Sequence, residues 1–130
     1  MQHLDELRAL NLPANQFAVF GSGPMAVHGL REVDDLDLIV KSALWEKLKQ
    51  KYPLQPPRQS GEGYLQVGKI EIWSDWLPWY EDVTPLIDEA ELIDGIRFVK
   101  LERVLDWKRQ RNSEKDQRDI GLIEAYFSSR

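Results

Sequence analysis

Residues 17–40 read FAVFGSGPMAVHGLREVDDLDLIV, which predicts a short apolar strand, a Gly-Ser turn into a short helix, and a second strand. Side chains on a strand alternate between its two faces, so we expect Asp35 and Asp37 on one face and Leu36 and Leu38 on the other. Two carboxylates roughly 7 Å apart along a strand repel each other unless a cation lies between them. The stretch therefore predicts a site for a divalent cation such as Mg²⁺.

The turn Gly21-Ser22 lies between the first strand and a helix that we expect over residues 24–30. Glycine lets the backbone approach a ligand closely, and free N–H groups at the start of a helix favour phosphate oxygens. The Ser22 hydroxyl adds a donor and also suits the N-cap position, with Pro24 in the first helical turn. We therefore expect a phosphate-binding turn and a cation site at the same edge of the sheet.

These residues resemble the signature of the polymerase-beta-like nucleotidyltransferase superfamily. That signature is an apolar residue, Gly, then Gly or Ser, followed after about a dozen residues by Asp-apolar-Asp-apolar, and residues 20–22 and 35–38 match it position by position. Residues 29–38 are most similar to a small bacterial branch related to abortive-infection toxins and minimal nucleotidyltransferases. Val33 departs from that branch, which often has Thr or Ser there. The resemblance implies the nucleotidyltransferase fold, a mixed β-sheet with flanking helices.

A third acidic residue is expected on a later strand. Residues 64–73 predict two short strands joined by a tight glycine turn. If Ile70 and Ile72 face the core, Glu71 faces the opposite side, where the two aspartates are expected. The resemblance implies that Glu71 is the third metal ligand, with Asp75 as the second choice. The alternative is a solvent-exposed acid on the polar face of a hairpin.

The resemblance also implies a chemistry. In this superfamily two Mg²⁺ ions, about 3.5–4 Å apart, activate a hydroxyl and stabilise the departing pyrophosphate while a nucleoside monophosphate leaves a nucleoside triphosphate. By resemblance Asp35 and Asp37 bind both ions, and Glu71 binds one ion and helps to deprotonate the acceptor hydroxyl. The acceptor could be a small molecule, a protein side chain or an RNA end.

Two basic residues are further candidates for binding the nucleotide. Arg31 lies between the turn and the acids, where it either faces the phosphates or is a structural partner of Asp34 or Asp35. Lys108 resembles a lysine in a C-terminal helix of the toxin-like relatives, which open their last helix with the Lys-Asp-x-x-Asp pattern seen at residues 115–119. Asp116 and Asp119 suit the start of a helix, where negative charge is favoured. Helix capping and salt bridges between helices explain the same residues without any substrate.

Length and composition are typical of one α+β domain over residues 1–130. The chain has 42% hydrophobic and 30% charged residues, no cysteine and a formal net charge of −5. The absence of cysteine suits a reducing cytoplasm, and no apolar run approaches a membrane span, so we expect a cytoplasmic protein with no membrane partner. Acidic residues outnumber basic ones up to residue 96, which argues against broad nucleic-acid binding, while the tail from Arg97 is basic.

The periodicity of apolar residues predicts the remaining elements. They are helices over residues 4–10, 42–51 (capped by Ser42) and 84–90, a loop over 55–63, a hairpin over 92–99, and two closing helices over 101–111 and 113–128. Trp73, Trp76, Trp79 and Tyr80 form an aromatic cluster. Packing against the sheet is the favoured interpretation, with Trp76 or Trp79 as the more exposed ring. The alternatives are stacking on a nucleobase or an aromatic substrate, and binding a protein.

Two functions from different classes follow. The first is the Mg²⁺-dependent enzyme acting on a nucleoside triphosphate and a hydroxyl acceptor. The second is a catalytically weak or inactive regulatory protein of the same fold, for example one member of a toxin–antitoxin pair. The small size favours the second, because larger relatives carry an added helical domain that holds the acceptor, although a homodimer could supply the missing wall. Retention of the three acids and of Gly21-Ser22 favours the enzyme.

Overall fold

The computed structural model describes residues 1–58 and 61–130 and confirms the α+β class. Within these residues one mixed sheet of seven strands is flanked by six helices. The strands are β1 (Phe17–Phe20), β2 (Leu36–Val40), β3 (Leu54–Gln55), β4 (Tyr64–Val67), β5 (Ile70–Trp73), β6 (Glu91–Ile93) and β7 (Ile96–Phe98). The helices are α1 (Leu4–Ala9), α2 (Gly23–Val27), α3 (Ser42–Lys49), α4 (Thr84–Asp88), α5 (Leu101–Arg111) and α6 (Glu114–Ser128). None of these helices has the length and apolarity needed to cross a membrane.

The strand order in the sheet is β3-β4-β5-β2-β1-β7-β6. The central strand β2 runs antiparallel to β1 and parallel to β5, while β7 runs parallel to β1. Two antiparallel hairpins, β4–β5 and β6–β7, extend the sheet on either side. The sequence of residues 17–40 predicted the unit β1–α2–β2, and the two strands of this unit lie in the middle of the sheet.

Both faces of the sheet are covered, because the central strands carry apolar side chains on both sides. On the first face, Leu36, Leu38, Ile70 and Ile72 pack with buried residues of α1 and α3. On the second face, the core includes Ala18, Phe20 and Ile39 from the sheet and side chains from α2, α4, α5 and α6. Since side chains alternate along a strand, the second face is also the one that carries Asp37 and Glu71.

Most predicted elements are confirmed, and the differences lie at their ends. The bounds of β1 and α5 are as predicted, and α1, α3, α4, α6 and both hairpins agree within two residues. Helix α2 is shorter than predicted, beginning at Gly23 and ending at Val27. The predicted Ser42 cap is wrong, because Lys41 is the N-cap of α3 and makes no side-chain cap hydrogen bond. Residues 54–55 form β3 at the edge of the predicted loop, and residues 59–60 of that loop lie outside the described residues.

Helices α5 and α6 form a helical hairpin on the second face. Asn112 adopts the left-handed conformation with φ 54°, which lets the chain reverse between them. Ser113 is the N-cap of α6: its hydroxyl accepts from the Asp116 N–H, and the Asp116 carboxylate accepts from the Ser113 N–H. This capping box fixes the start of α6 and thereby the position of its first acidic residues beside α5.

Candidate functional site

Strand register places Asp37 between the Gly-Ser turn and Glu71. Asp37 pairs with Phe20 of β1 on one side and with Glu71 of β5 on the other. Gly21 follows Phe20 directly, has φ +60°, and lies so close that a Cβ atom on it would overlap Oδ2 of Asp37. Only glycine combines the left-handed conformation with this close approach. The predicted proximity of turn and acid is therefore a consequence of how β1, β2 and β5 pair.

Asp35 lies close to this centre but not on the strand. It occupies an exposed bend directly before β2, which begins at Leu36. The prediction that Asp35 and Asp37 are alternate residues of one strand is therefore wrong, although both side chains line the same cavity. The negative charge of Asp35 still acts on Asp37, as the pKa of Asp37 shows.

The carboxyl of Asp37 is strongly perturbed. Burial, followed by the negative charges of Glu71 and Asp35, raises the pKa of Asp37 from its usual 3.8 to about 7, while Arg58 and Lys115 oppose the rise. A carboxyl in this environment favours a proton near neutral pH, because nearby basic groups do not balance the acids. A divalent cation would supply the missing charge, so the chemistry of this donor set fits Mg²⁺.

Glu71 lies on the predicted face and is only 9% exposed. The alternative of a solvent-exposed acid is therefore wrong. Both oxygens of its carboxylate accept hydrogen bonds from Arg58, at 2.9 and 2.8 Å, and the Arg58 guanidinium also lies 4.6 Å from the centre of the Tyr64 ring. Across residues 1–58 and 61–130, no group of three or more His, Cys, Asp or Glu side chains is arranged to hold a metal ion. Arg58 gives a physical reason, because it binds the carboxylate that a cation would need.

Arg58 could not be found from the sequence. It lies in an irregular, proline-rich segment, thirteen residues before its partner Glu71. Nothing in the local pattern indicates that this segment folds over β5. The contact depends on the path of the loop and on the aromatic ring of Tyr64, which the β4–β5 hairpin presents to it.

Ser22 is the centre of a hydrogen-bond network rather than a side-chain cap. It is the N-cap residue of α2, but its hydroxyl makes no cap hydrogen bond. Instead the hydroxyl accepts from Arg31 at 2.8 Å and from Lys108 at 3.3 Å. Both cations also pair with Asp119, at 3.1 Å for Arg31 and 3.0 Å for Lys108. The structure thus brings Ser22, Arg31 and Lys108 together, and Asp119 of α6 pairs with both cations.

Lys108 is completely buried below the turn. Burial lowers its pKa, and the ion pair with Asp119 partly restores it. Because the side chain is covered, Lys108 contacts the hydroxyl of Ser22 and not the surface of the cavity. Arg111 and Lys115, which no sequence motif marked as ligands, line the cavity instead. In the sequence, these two residues, near the end of α5 and the start of α6, are only part of a generally basic segment.

Asp116 has the structural position that helix capping suggested. It is fully buried, accepts two hydrogen bonds from Arg111 at 2.9 and 2.7 Å, and is bonded to Ser113. Burial would raise the pKa of Asp116, but the hydrogen bonds from Arg111 and Ser113 outweigh it and hold the pKa well below its ordinary value. Asp116 therefore anchors α6 and orients Arg111.

Two adjoining cavities open on either side of Asp37. The polar cavity, about 290 Å³, is lined by the turn residues Gly21 and Ser22 together with Arg31, Asp35 and Lys115. The aromatic cavity, about 170 Å³, is lined by Arg58, Glu71 and four tryptophan rings. Asp37, Trp107 and Arg111 belong to the walls of both. The carboxylate of Asp37 thus lies where the polar cavity meets the aromatic cavity.

The aromatic cluster is built around Trp76 and Trp107. Trp76 is 9% exposed, and its ring centre lies 4.7 Å from that of Phe20 and 5.1 Å from that of Trp107. Packing is therefore confirmed for this ring, and of the two rings expected to be more exposed it is Trp79, not Trp76, that is partly exposed. Trp79 is half-buried at the cavity wall. Trp107, on the inner face of α5, was missed because the sequence gives no sign that this helix returns to the Trp-rich segment.

Asp75, the second choice for the third acid, lies in the wall of the aromatic cavity. Burial raises its pKa, and the negative charge of Glu62 adds to the rise, while a hydrogen bond from the Leu77 backbone opposes it. Glu71, and not Asp75, pairs with Asp37 across the strands. Glu71 is therefore the better placed of the two.

No protein-family model matches the chain, and neither a curated protein nor a solved structure is significantly similar to it.

Proposed function

We propose that the chain is a nucleotidyltransferase of the polymerase-beta-like fold that transfers a nucleoside monophosphate from a nucleoside triphosphate to a hydroxyl. One observation carries this proposal: Asp37 lies against the Gly21-Ser22 turn and beside Glu71, and its pKa is raised to about 7 by burial and by the neighbouring acids. Perturbed carboxyls in a cleft are frequent at functional sites. The sequence signature and the strand register support the same arrangement independently.

The polar cavity would hold the triphosphate. Arg31, Lys115 and Arg111 line it and supply positive charge, and the Gly-Ser turn supplies a close backbone surface. Lys108 acts from below as a positioning residue, because it holds the Ser22 hydroxyl without reaching the cavity. These residues explain binding and orientation, which provide most of the catalysis in phosphoryl transfer.

The acids would hold Mg²⁺ and receive the proton. Asp35 and Asp37 line the polar cavity, and Glu71 joins them once Arg58 leaves its carboxylate. When bound, Mg²⁺ would neutralise the phosphate charge and favour the attacking oxygen and the departing pyrophosphate. In the transfer, the acceptor oxygen bonds to the α-phosphorus, the bond from that phosphorus to the bridging oxygen of pyrophosphate breaks, and the hydroxyl proton goes to Glu71.

The experiment is incubation of the protein with α-labelled nucleoside triphosphates and Mg²⁺ in a cell lysate, followed by separation of labelled small molecules, RNA and proteins. We expect one class of molecule to become labelled, with loss of labelling in Asp37→Asn. Asp94→Asn is the matched control, since Asp94 is an exposed aspartate in the β6–β7 turn. Labelling that persists in Asp37→Asn would contradict the proposal.

A second candidate is a non-catalytic nucleotide-binding protein that regulates a partner, as in a toxin–antitoxin pair. The bidentate contact between Arg58 and Glu71 favours it, because an acid bound in this way does not accept a proton. Nucleotide binding without transfer to any acceptor, in wild type and also in Arg58→Gln, would support this candidate over the enzyme.

A further inference from the structure

The proposed function leaves the aromatic rings of the second cavity without a role, and the chemistry of this aromatic cavity differs from that of the polar cavity. It lies on the Glu71 side of Asp37, and its walls include Trp73, Trp76, Trp79 and Trp107. The four rings pack edge to face on one another, for example with ring centres 5.9 Å apart for Trp73 and Trp76 and 6.1 Å apart for Trp79 and Trp107. Trp76 and Trp107 are buried, whereas Trp73 and Trp79 are partly exposed. A flat ring can stack on a partly exposed indole, and such stacking gives about 1–3 kcal/mol.

We infer that the aromatic cavity is the acceptor subsite, and that it takes a small, neutral or weakly basic molecule with a planar ring and a hydroxyl group. This inference rests on the proposed function, because it assigns the acceptor of that reaction. Glu71, the acid proposed to receive the hydroxyl proton, is part of the cavity wall. Because Asp37 and Glu71 belong to the same wall as the tryptophans, a ring stacked in this cavity would bring its hydroxyl near both acids.

The charges of the cavity argue against a polyanionic acceptor such as an RNA end. Its two basic residues are already bound by acids, Arg58 by Glu71 and Arg111 by Asp116. Asp75 adds a further acid to the wall. RNA binding depends on cations that neutralise phosphates, and this wall has three acids, Asp37, Glu71 and Asp75, against two basic residues.

The volume of the cavity agrees with a small ring. About 170 Å³ is less than a typical drug-sized pocket of roughly 300 Å³ or more, so the cavity has room for one ring system.

The test is to titrate adenosine, guanosine, cytidine and uridine, as neutral ring probes, into the metal-free protein. Binding is measured by tryptophan fluorescence and by calorimetry. Ribose is the control without a ring, and the matching 5′-monophosphates are the charged controls. We expect at least one nucleoside to bind tenfold or more tightly than ribose and than its monophosphate. If all four nucleosides bind no better than ribose, the inference is wrong.

Variants locate the binding. Trp79→Ala should weaken nucleoside binding by about 5- to 150-fold, the equivalent of 1–3 kcal/mol of stacking, and Trp79→Tyr should largely restore it. Leu92→Ala is the control, since Leu92 is an exposed apolar residue on the distant edge strand β6. Equal nucleoside affinity in Trp79→Ala and wild type would place the ligand elsewhere and overturn the assignment.

A competition experiment separates an acceptor from the base of the donor nucleotide. A non-hydrolysable nucleoside triphosphate with Mg²⁺ should bind together with the nucleoside, without competition. Competition would assign the cavity to the donor base and overturn the acceptor assignment. If the triphosphate analogue binds but nucleosides do not, the inference fails while the proposed function stands. If the analogue does not bind at all, the proposed function fails, and the acceptor assignment fails with it.

Discussion

Replacing Asp37 with Asn should stabilise the metal-free protein at neutral and alkaline pH. Asparagine has nearly the shape of a protonated aspartic acid, so it keeps the packing against Gly21 while it removes the charge. The pKa of Asp37 rises from 3.8 to about 7 on folding, because burial and the charges of Glu71 and Asp35 disfavour the carboxylate. At a pH where Asp37 is ionised in the unfolded chain, the folded wild type must either keep a proton on Asp37 or hold an unfavourable charge there. Both lower the free energy of unfolding of the wild type.

The pH window and the magnitude follow from these values. Below pH 3.8 both states of the wild type are protonated and the carboxyl has no effect. As pH rises from there to about 7, the unfolded chain has lost a proton that the folded protein keeps, so wild-type stability falls. A pKa difference of one corresponds to about 1.4 kcal/mol. The full rise in pKa corresponds to a loss of about 4 kcal/mol in the free energy of unfolding of the wild type. Because part of the Asp37 side chain contacts solvent, we expect Asp37→Asn to be more stable than wild type by about 2–4 kcal/mol above pH 7.

The assay is urea unfolding of wild type and Asp37→Asn in EDTA-containing buffer, at several values from about pH 5 to 8.5. The difference in free energy of unfolding should widen by about 1 kcal/mol per pH unit up to about pH 7 and then stay constant. Asp94→Asn should differ from wild type by about 0.5 kcal/mol or less at every pH, as expected for an exposed site. If the stabilities of wild type and Asp37→Asn change in parallel with pH, with no gap at pH 8, folding does not disfavour the Asp37 carboxylate and the prediction is wrong.

Three other substitutions test the surroundings of Asp37. Arg58→Gln should increase the affinity for Mg²⁺ measured by calorimetry, because it releases the Glu71 carboxylate. The control Arg103→Gln breaks a similar bidentate pair, with Glu89 outside both cavities, and should leave this affinity unchanged. Equal effects of the two substitutions would show that Arg58 does not compete with Mg²⁺ for Glu71. Lys108→Met should lower the free energy of unfolding by about 3 kcal/mol in urea titrations, because the buried Asp119 loses one of its two cationic partners. A change below about 1 kcal/mol would show that the Lys108–Asp119 pair does not stabilise the fold. Gly21→Ala should lower the melting temperature and weaken triphosphate binding together, because the methyl group overlaps Asp37; unchanged values for both would mean that the turn is not held against the acid.

The sequence predicted those parts of the site that depend on strand periodicity. The face of Glu71 follows from Ile70 and Ile72, and the meeting of Gly21 with Asp37 follows once residues 17–20 and 36–40 are paired strands. Periodicity does not fix where a strand begins, however. Asp35 continues the acidic-apolar alternation, yet it lies in the bend before β2.

The parts that the sequence could not predict depend on contacts between distant segments. Arg58 reaches Glu71 only through the path of a loop, and Trp76 is buried because Trp107 of α5 packs against it. The resemblance implied that Lys108 binds phosphate, but the pairing of α5 with α6 covers this side chain and directs it to Ser22. A local pattern carries no information about which surface a later helix will cover.

Calorimetric binding of a non-hydrolysable nucleoside triphosphate, with and without Mg²⁺, in wild type and in the double variant Asp35→Asn/Asp37→Asn tests directly whether acids and turn form one site. We expect wild type to bind at least tenfold more tightly with Mg²⁺ than without it, a difference of about 1.4 kcal/mol or more, and the double variant to lose this dependence. Equal affinity in both proteins, or binding by wild type that ignores Mg²⁺, would contradict the claim that these carboxylates and the Gly21-Ser22 turn form one nucleotide site.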